Sequence, residues 1–257
     1  MKGILTEAYF EFIDRKQHWL FLAITAVAGV IIYFAVTEKQ KLVQNEMSSQ
    51  ASLLQSASYS LGNFVTVIVL LAVISSIFLF PRLLRLGRIE FYLTKPITRA
   101  ELFSSKIISH WAIYGITILF CSSIIAAELS ALGALPLGSS AYVLVTGLAV
   151  FLVWFSVVSF TGFLTKSVSI SFATLTVLWV GQLLLKHRTE WGIEQWSVRY
   201  VIDFFYYILP KTSEMSALSV ELATGGAYLN YLPILTSLAL AGFLIYTANS
   251  LFCRRDF

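Results

Sequence analysis

"LGNFVTVIVLLAVISSIFLF", residues 61–80, is a run of twenty residues without one charged side chain. A helix of that length rises about 30 Å, the thickness of the hydrocarbon core of a bilayer. The run is apolar throughout and does not alternate, so it reads as a membrane-crossing helix and not as a barrel strand. Five further stretches read alike: Trp19 to Val36, Ile107 to Ala127, Ala141 to Leu164, Val168 to Leu185 and Tyr231 to Phe252. Composition agrees. Only 12% of the 257 residues are charged and 58% are hydrophobic, against about 25% charged in soluble domains; mean hydropathy is +0.79. The expected fold class is an all-α integral membrane protein with six transmembrane helices, a single transmembrane domain over 1–257. Around the spans lie an interfacial segment (1–18), a cytoplasmic coupling loop (82–106) and an outer segment (186–230).

The first span carries Ala26-Val27-Ala28, which resembles a signal cleavage site. The apolar run continues past it to Val36 and eighteen residues precede it, so an uncleaved anchor is expected. Six spans put both termini on one side. That side then holds Lys2, Arg15, Lys16, Arg82, Arg85, Arg88, Lys95, Arg99, Lys106, Lys166, Arg254 and Arg255, twelve of the eighteen basic residues. Cytoplasmic loops retain positive charge, so both termini are expected to be cytoplasmic. The net charge of +4 is scattered around apolar stretches and forms no solvated basic face, which argues against nucleic acid. Cys121 and Cys253 suggest no disulfide framework.

The loop after the second span reads "PRLLRLGRIEFYLT", residues 81–94, and then Lys95-Pro96. Pro81 is expected to close the second span, a short helix to follow it, and Pro96 to turn the chain, because the residue before a proline is pushed out of helical geometry. Thr98-Arg99-Ala100-Glu101 is a capping-box pattern, so a new helix is expected to start near Arg99 and run into the third span. The charges here serve membrane topology, or they orient a partner. Exposed ion pairs contribute about 0–1 kcal/mol each and one buried large apolar side chain about 1.5–3 kcal/mol. Grip on a partner therefore falls to Ile89, Phe91, Tyr92 and Leu93, unless these simply lie against lipid headgroups. Leu5, Tyr9, Phe12 and Ile13 lie on one face of an amphipathic helix before the first span, expected to rest in the interface as an anchor or a partner contact.

The central parts of the spans hold no Asp, Glu, Lys or Arg, which disfavours an ion-coupled transporter. His110 is expected to be hydrogen-bonded to its neighbours, and Glu128, at a span boundary, to be hydrated. "TGFLTKS", residues 161–167, has Thr165 where a P-loop needs its second glycine and reads as a tight turn between spans. No zinc motif or nucleophile elbow is present. In the outer segment "YVIDFFYYILP", residues 200–210, is too short to span. Trp196, Tyr200, Phe204 and Tyr207 are candidates for an outer gate, the alternative being a passive aromatic belt.

"EFYLTKPITRAELFSSK", residues 90–106, resembles the first cytoplasmic loop of permease subunits in the type-two class of ABC exporters. "EAYFEFIDRKQHW" before the first span, "ILPKTSEMSAL" at 208–218 and the basic tail "CRRDF" agree with that family, whereas Phe91-Tyr92 stands where its commoner pattern has Gly-Thr. The resemblance implies a coupling helix that seats in a cleft on a separate ATPase subunit, with the coupling role falling on Arg88, Ile89, Glu90, Phe91, Tyr92, Leu93, Lys95, Pro96 and Arg99. It also implies a pair of permeases working with two ATPase copies, as a homodimer in a prokaryotic plasma membrane. No cofactor would be bound by this chain, ATP and Mg belonging to the partner. The other readings are a membrane scaffold without transport and an intramembrane enzyme. Sparse Met, His and Cys lean away from metal as cargo; the lack of buried charge leans toward a lipid-like, peptide or other amphipathic one.

Overall fold

A computed structural model describes residues 17–44, 49–84, 98–188, 196–226 and 230–254. Among the described residues the fold is helical, with no strand. The helices are α1 (Gln17–Gln44), α2 (Gln50–Ser76), α3 (Leu79–Leu83), α4 (Arg99–Ala131), α5 (Leu137–Thr165), α6 (Val168–Lys186), α7 (Trp196–Ile208), α8 (Thr212–Ala223) and α9 (Leu232–Arg254). Six stretches are long and apolar enough to cross a membrane: Trp19–Gln44, Gln50–Leu83, Arg99–Ala131, Leu137–Thr165, Val168–Lys186 and Leu232–Arg254. Each contains all or nearly all of one predicted apolar run. Many hydroxyls inside them bond to their own helix: Thr25 and Thr117 donate to the carbonyls of Phe21 and Ile113 four residues back, at 2.7 and 2.9 Å. An apolar surrounding can therefore accept them without an orphaned donor.

Helix boundaries follow local chemistry. Gly133 (φ +66) ends α4, and the Ala134 amide reaches back to the Leu129 carbonyl at 3.0 Å, a left-handed cap that a side chain would strain. The turn read in "TGFLTKS" is present: Lys166 alone separates the end of α5 from Ser167, whose hydroxyl accepts the Ile170 amide at 3.4 Å and caps α6. Pro81 does not close the second span. It stands in the first turn of α3, where its missing N–H costs nothing because the opening amides of a helix have no carbonyl to bond.

The chain divides into two compact units. The first holds residues up to 72, 109–150 and 216–229. Here α1 packs on α4, with the rings of Phe21 and Tyr114 6.1 Å apart and Gln40 Nε2 donating to the Leu132 carbonyl at 2.6 Å. Gly115 meets Leu148, Gly147 meets Val65 and Gly62 meets Val220, so glycines bring α4, α5, α2 and α8 together pairwise. His110 is fully buried, its ring 4.8 Å from that of Tyr114.

The second unit holds residues 73–108, 151–215 and from 230 onward. It contains α3, α6, α7, α9, the start of α4 and the later part of α5. α7 packs along α6, and Gly181 admits the Leu209 side chain. At its other end Gly162 lies against Pro81 and Ser171.

Candidate functional site

The two helices that flank residues 85–97 meet in one aromatic cluster. Phe80 of α3 and Phe103 of α4 stand 5.3 Å apart, centroid to centroid. Phe163, near the end of α5, lies 6.2 Å from Phe80. Phe252, near the end of α9, lies 5.5 Å from Phe103 and 6.0 Å from Phe163. All four rings are fully buried. Tilted and edge-on aromatic pairs contribute about 0.5–1.5 kcal/mol each beyond the area they bury, so the cluster ties both flanks of the loop to the ends of α5 and α9.

The predicted capping box is formed. The Thr98 amide and hydroxyl both donate to Glu101 Oε2 at 2.8 Å, and the Glu101 amide donates to Thr98 Oγ1 at 3.2 Å. A cap of this kind is worth about 1 kcal/mol, and it defines where α4 begins. From there α4 continues unbroken for 33 residues, about 50 Å. Arg99 is its first residue. The other predicted coupling residues, Arg88, Ile89, Glu90, Phe91, Tyr92, Leu93, Lys95 and Pro96, lie outside the described residues, as do Leu5, Tyr9, Phe12 and Ile13. Lys106, which the sequence groups with the loop, is buried one turn beyond Phe103.

A second constellation, which the sequence did not reveal, gathers at the opposite end of α9. Ser237 there accepts the Lys211 amide at 2.9 Å, fifteen residues and about 22 Å along the helix from Phe252. The Thr212 amide and hydroxyl both donate to Gln182 Oε1, at 3.0 and 2.8 Å, and Trp154 Nε1–H donates to the Thr212 hydroxyl at 3.1 Å. The opening amide of α8, an orphan in an isolated helix, is thus satisfied from α6. Around this lies a ring of charge and aromatics. Arg188 Nε donates to Asp203 Oδ1 at 2.8 Å, and its guanidinium sits 3.4 Å from the Tyr206 ring centre. The Tyr206 hydroxyl donates to Glu214 Oε1 at 2.6 Å. Lys211 is buried, with Nζ 4.8 and 5.2 Å from the Tyr206 and Tyr207 rings and 3.3 Å from Thr236 Oγ1.

These contacts shift the ionisations. Burial works against the Arg188 charge, yet the bond and charge of Asp203 together with Tyr206 outweigh it and keep the guanidinium above its ordinary pKa. Burial and the Glu214 bond push the Tyr206 phenol up. Burial pulls the Lys211 ammonium down, against the attraction of Glu214. The two cations face two carboxylates, which makes this a locked fastening of α6, α7, α8 and α9.

Of the gate candidates, Trp196, Tyr200, Phe204 and Tyr207 form one stripe of α7, all more than half exposed. Trp196 and Tyr200 meet edge-on at 6.3 Å. No residue of α7 is buried. Glu128, expected at a span boundary, is half-buried, with its carboxylate against Gly29 of α1. Among the described residues no cluster of His, Cys, Asp and Glu could hold a metal ion. No family model and no curated protein matches this chain.

Proposed function

We propose that the chain is the permease subunit of an ATP-driven exporter of the type-two ABC class, with a separate cytoplasmic ATPase seated on residues 88–99. The observation that carries this reading is mechanical. Residues 85–97 leave α3 and return at a capped α4, and both flanks are held in the Phe80–Phe103–Phe163–Phe252 cluster. A load applied to such a loop reaches the ends of α5 and α9 through packed rings, which deform little because protein interiors are close-packed. The exposed apolar stripe of α7, too short at 13 residues to cross a bilayer, suits a helix lying at the outer mouth. α6 and α9 bury less of themselves than α2, α4 and α5 do, leaving faces for lipid and for a second copy of the chain.

The test is to purify the chain from its own cells and measure the ATP turnover of a co-purifying ATPase. Removing a large apolar contact costs about 1.5–3 kcal/mol, so Phe91→Ala or Tyr92→Ala should lower association or turnover by about ten-fold or more. A scaffold would leave turnover unchanged, and that result would end the transport reading. Activity in the isolated chain would point to an enzyme instead.

A further inference from the structure

α1 and the last third of α4 enclose a groove of about 460 Å³, within the range of small-molecule pockets. Thr25, Gly29, Tyr33 and Phe34 line it from α1, and Ile125 and Glu128 from α4. Its walls are apolar apart from one carboxylate and the hydroxyl-bearing side chains of Thr25 and Tyr33. Glu128 stands three residues from the end of its own candidate span, Arg99–Ala131, and its carboxylate lies against Gly29, ten residues into the candidate span Trp19–Gln44. A β-carbon on Gly29 would stand 3.0 Å from Glu128 Oε2; the glycine is what leaves the carboxylate room in the groove. Thr25 turns its hydroxyl away, onto the Phe21 carbonyl at 2.7 Å. Among the described residues Glu128 makes no ion pair, and no Lys, Arg or His lines the groove.

An ionised carboxylate against apolar walls is costly unless an opposite charge meets it. A metal ion does not fit, because hard cations need about six or more oxygen ligands and the groove offers one carboxylate, the Tyr33 phenol and a Thr25 hydroxyl already turned onto its own helix. Tyr33 and Phe34 bring two aromatic side chains to the same groove. A carboxylate combined with aromatic faces recognises an alkylammonium group, and the remaining apolar wall suits an apolar body. From this geometry we infer that the α1–α4 groove binds a monovalent lipophilic cation, an ammonium head carried on an alkyl or aryl body, with Glu128 as its counter-ion. The inference concerns binding alone and stands whether or not the chain transports.

The experiment uses the full chain in nanodiscs of zwitterionic lipid and two probes of one shape, diphenylhexatriene and its trimethylammonium derivative. Saturable energy transfer from tryptophan, above that of empty discs, reads binding. The cationic probe should bind Glu128→Gln about thirty-fold or more weakly than wild type, since truncating one side of a desolvated charge pair costs at least about 2 kcal/mol. The neutral probe should not distinguish the two. Phe34→Ala, at a site 63% exposed and so not needed for folding, should weaken the cationic probe roughly three-fold. It supplies the same test should Glu128→Gln fail to fold. Equal affinity of wild type and variants for the cationic probe, or equal losses for both probes, would overturn the proposal. So would a disulfide between two copies through Val30→Cys, made with Cys253 changed to Ser, since a second chain would then cover the groove.

Discussion

Lys211 takes a positive charge into a setting of rings and hydroxyls, and Tyr206 is the residue that makes it tolerable. Its π face meets both Lys211 and Arg188, while its hydroxyl reaches Glu214. With the folded-state pKa of this phenol raised by burial and by Glu214, its contribution to stability is fully present below the ordinary tyrosine value near 10. It is lost as pH climbs from there, because the unfolded chain releases the proton first. Lys211, lowered in the folded state, acts in the opposite sense on approach to its own ordinary value near 10.4; Tyr207, Asp203 and Arg188 are the other groups nearby. Tyr206→Phe retains Lys211 and drops only the phenol. Unfolding midpoints of the purified protein from pH 8 to 11 should therefore show wild type ahead of Tyr206→Phe at pH 8, with the gap closing above pH 10. A gap that stays constant would mean the phenol does not titrate against folding. This residue-level fastening was hidden in the sequence for a plain reason. Gln182 and Thr212 are thirty positions apart and Trp154 and Thr212 fifty-eight, and no local pattern links such partners. The Thr98–Glu101 box was legible because its two partners are three residues apart.

Element scale is where the sequence speaks most clearly, since an apolar run of some twenty residues has few alternatives to a spanning helix. Boundaries were less clear. A proline at the end of an apolar run reads as a terminator, yet a proline in a first turn, as Pro81 is, is compatible with helix. Glu128 follows an apolar run that stops at Ala127 and so reads as hydrated, and nothing in α4 reveals that a glycine on α1 opens room for it. How the helices meet is likewise written in small residues. A β-carbon on Gly147 of α5 would collide with Val65 Cγ1 of α2, and Val65 is itself buried. Gly147→Ala should then cost about 1–3 kcal/mol, as overpacking does. If that clash is the cause, adding Val65→Ala should return part of the loss, because the new methyl fills space the valine gave up. Denaturant unfolding of the two single variants and the double variant measures the coupling. Strictly additive losses would show that the two positions do not press on each other.

At the scale of the whole molecule the exporter reading depends on which side of the membrane each end occupies. An even number of spans returns the chain to its starting side, and twelve of eighteen basic residues then fall together, with residues 82–106 among them. The count rests on α7. Its 13 residues rise about 20 Å, short of the hydrocarbon thickness; were it to cross, α9 would end on the other face and the basic tail with it. The chain carries its own reporter for this choice. Cys253, near the end of α9, is exposed and unpaired, whereas Cys121 is buried. In intact cells a membrane-impermeant maleimide should leave wild type unlabelled and should label Arg199→Cys, whose site on α7 is exposed. Once the membrane is opened, Cys253 should react as well. Labelling of Cys253 in intact cells would put the C-terminus outside, either because α7 crosses and parts the basic tail from the other cytoplasmic charges, or because the six-span chain is inverted and the 82–106 loop is out of reach of any ATPase in the cytoplasm. Switching a two-state machine from 1:99 to 99:1 requires a differential of about 5.5 kcal/mol, and a cytoplasmic partner can deliver it only to a loop it can touch.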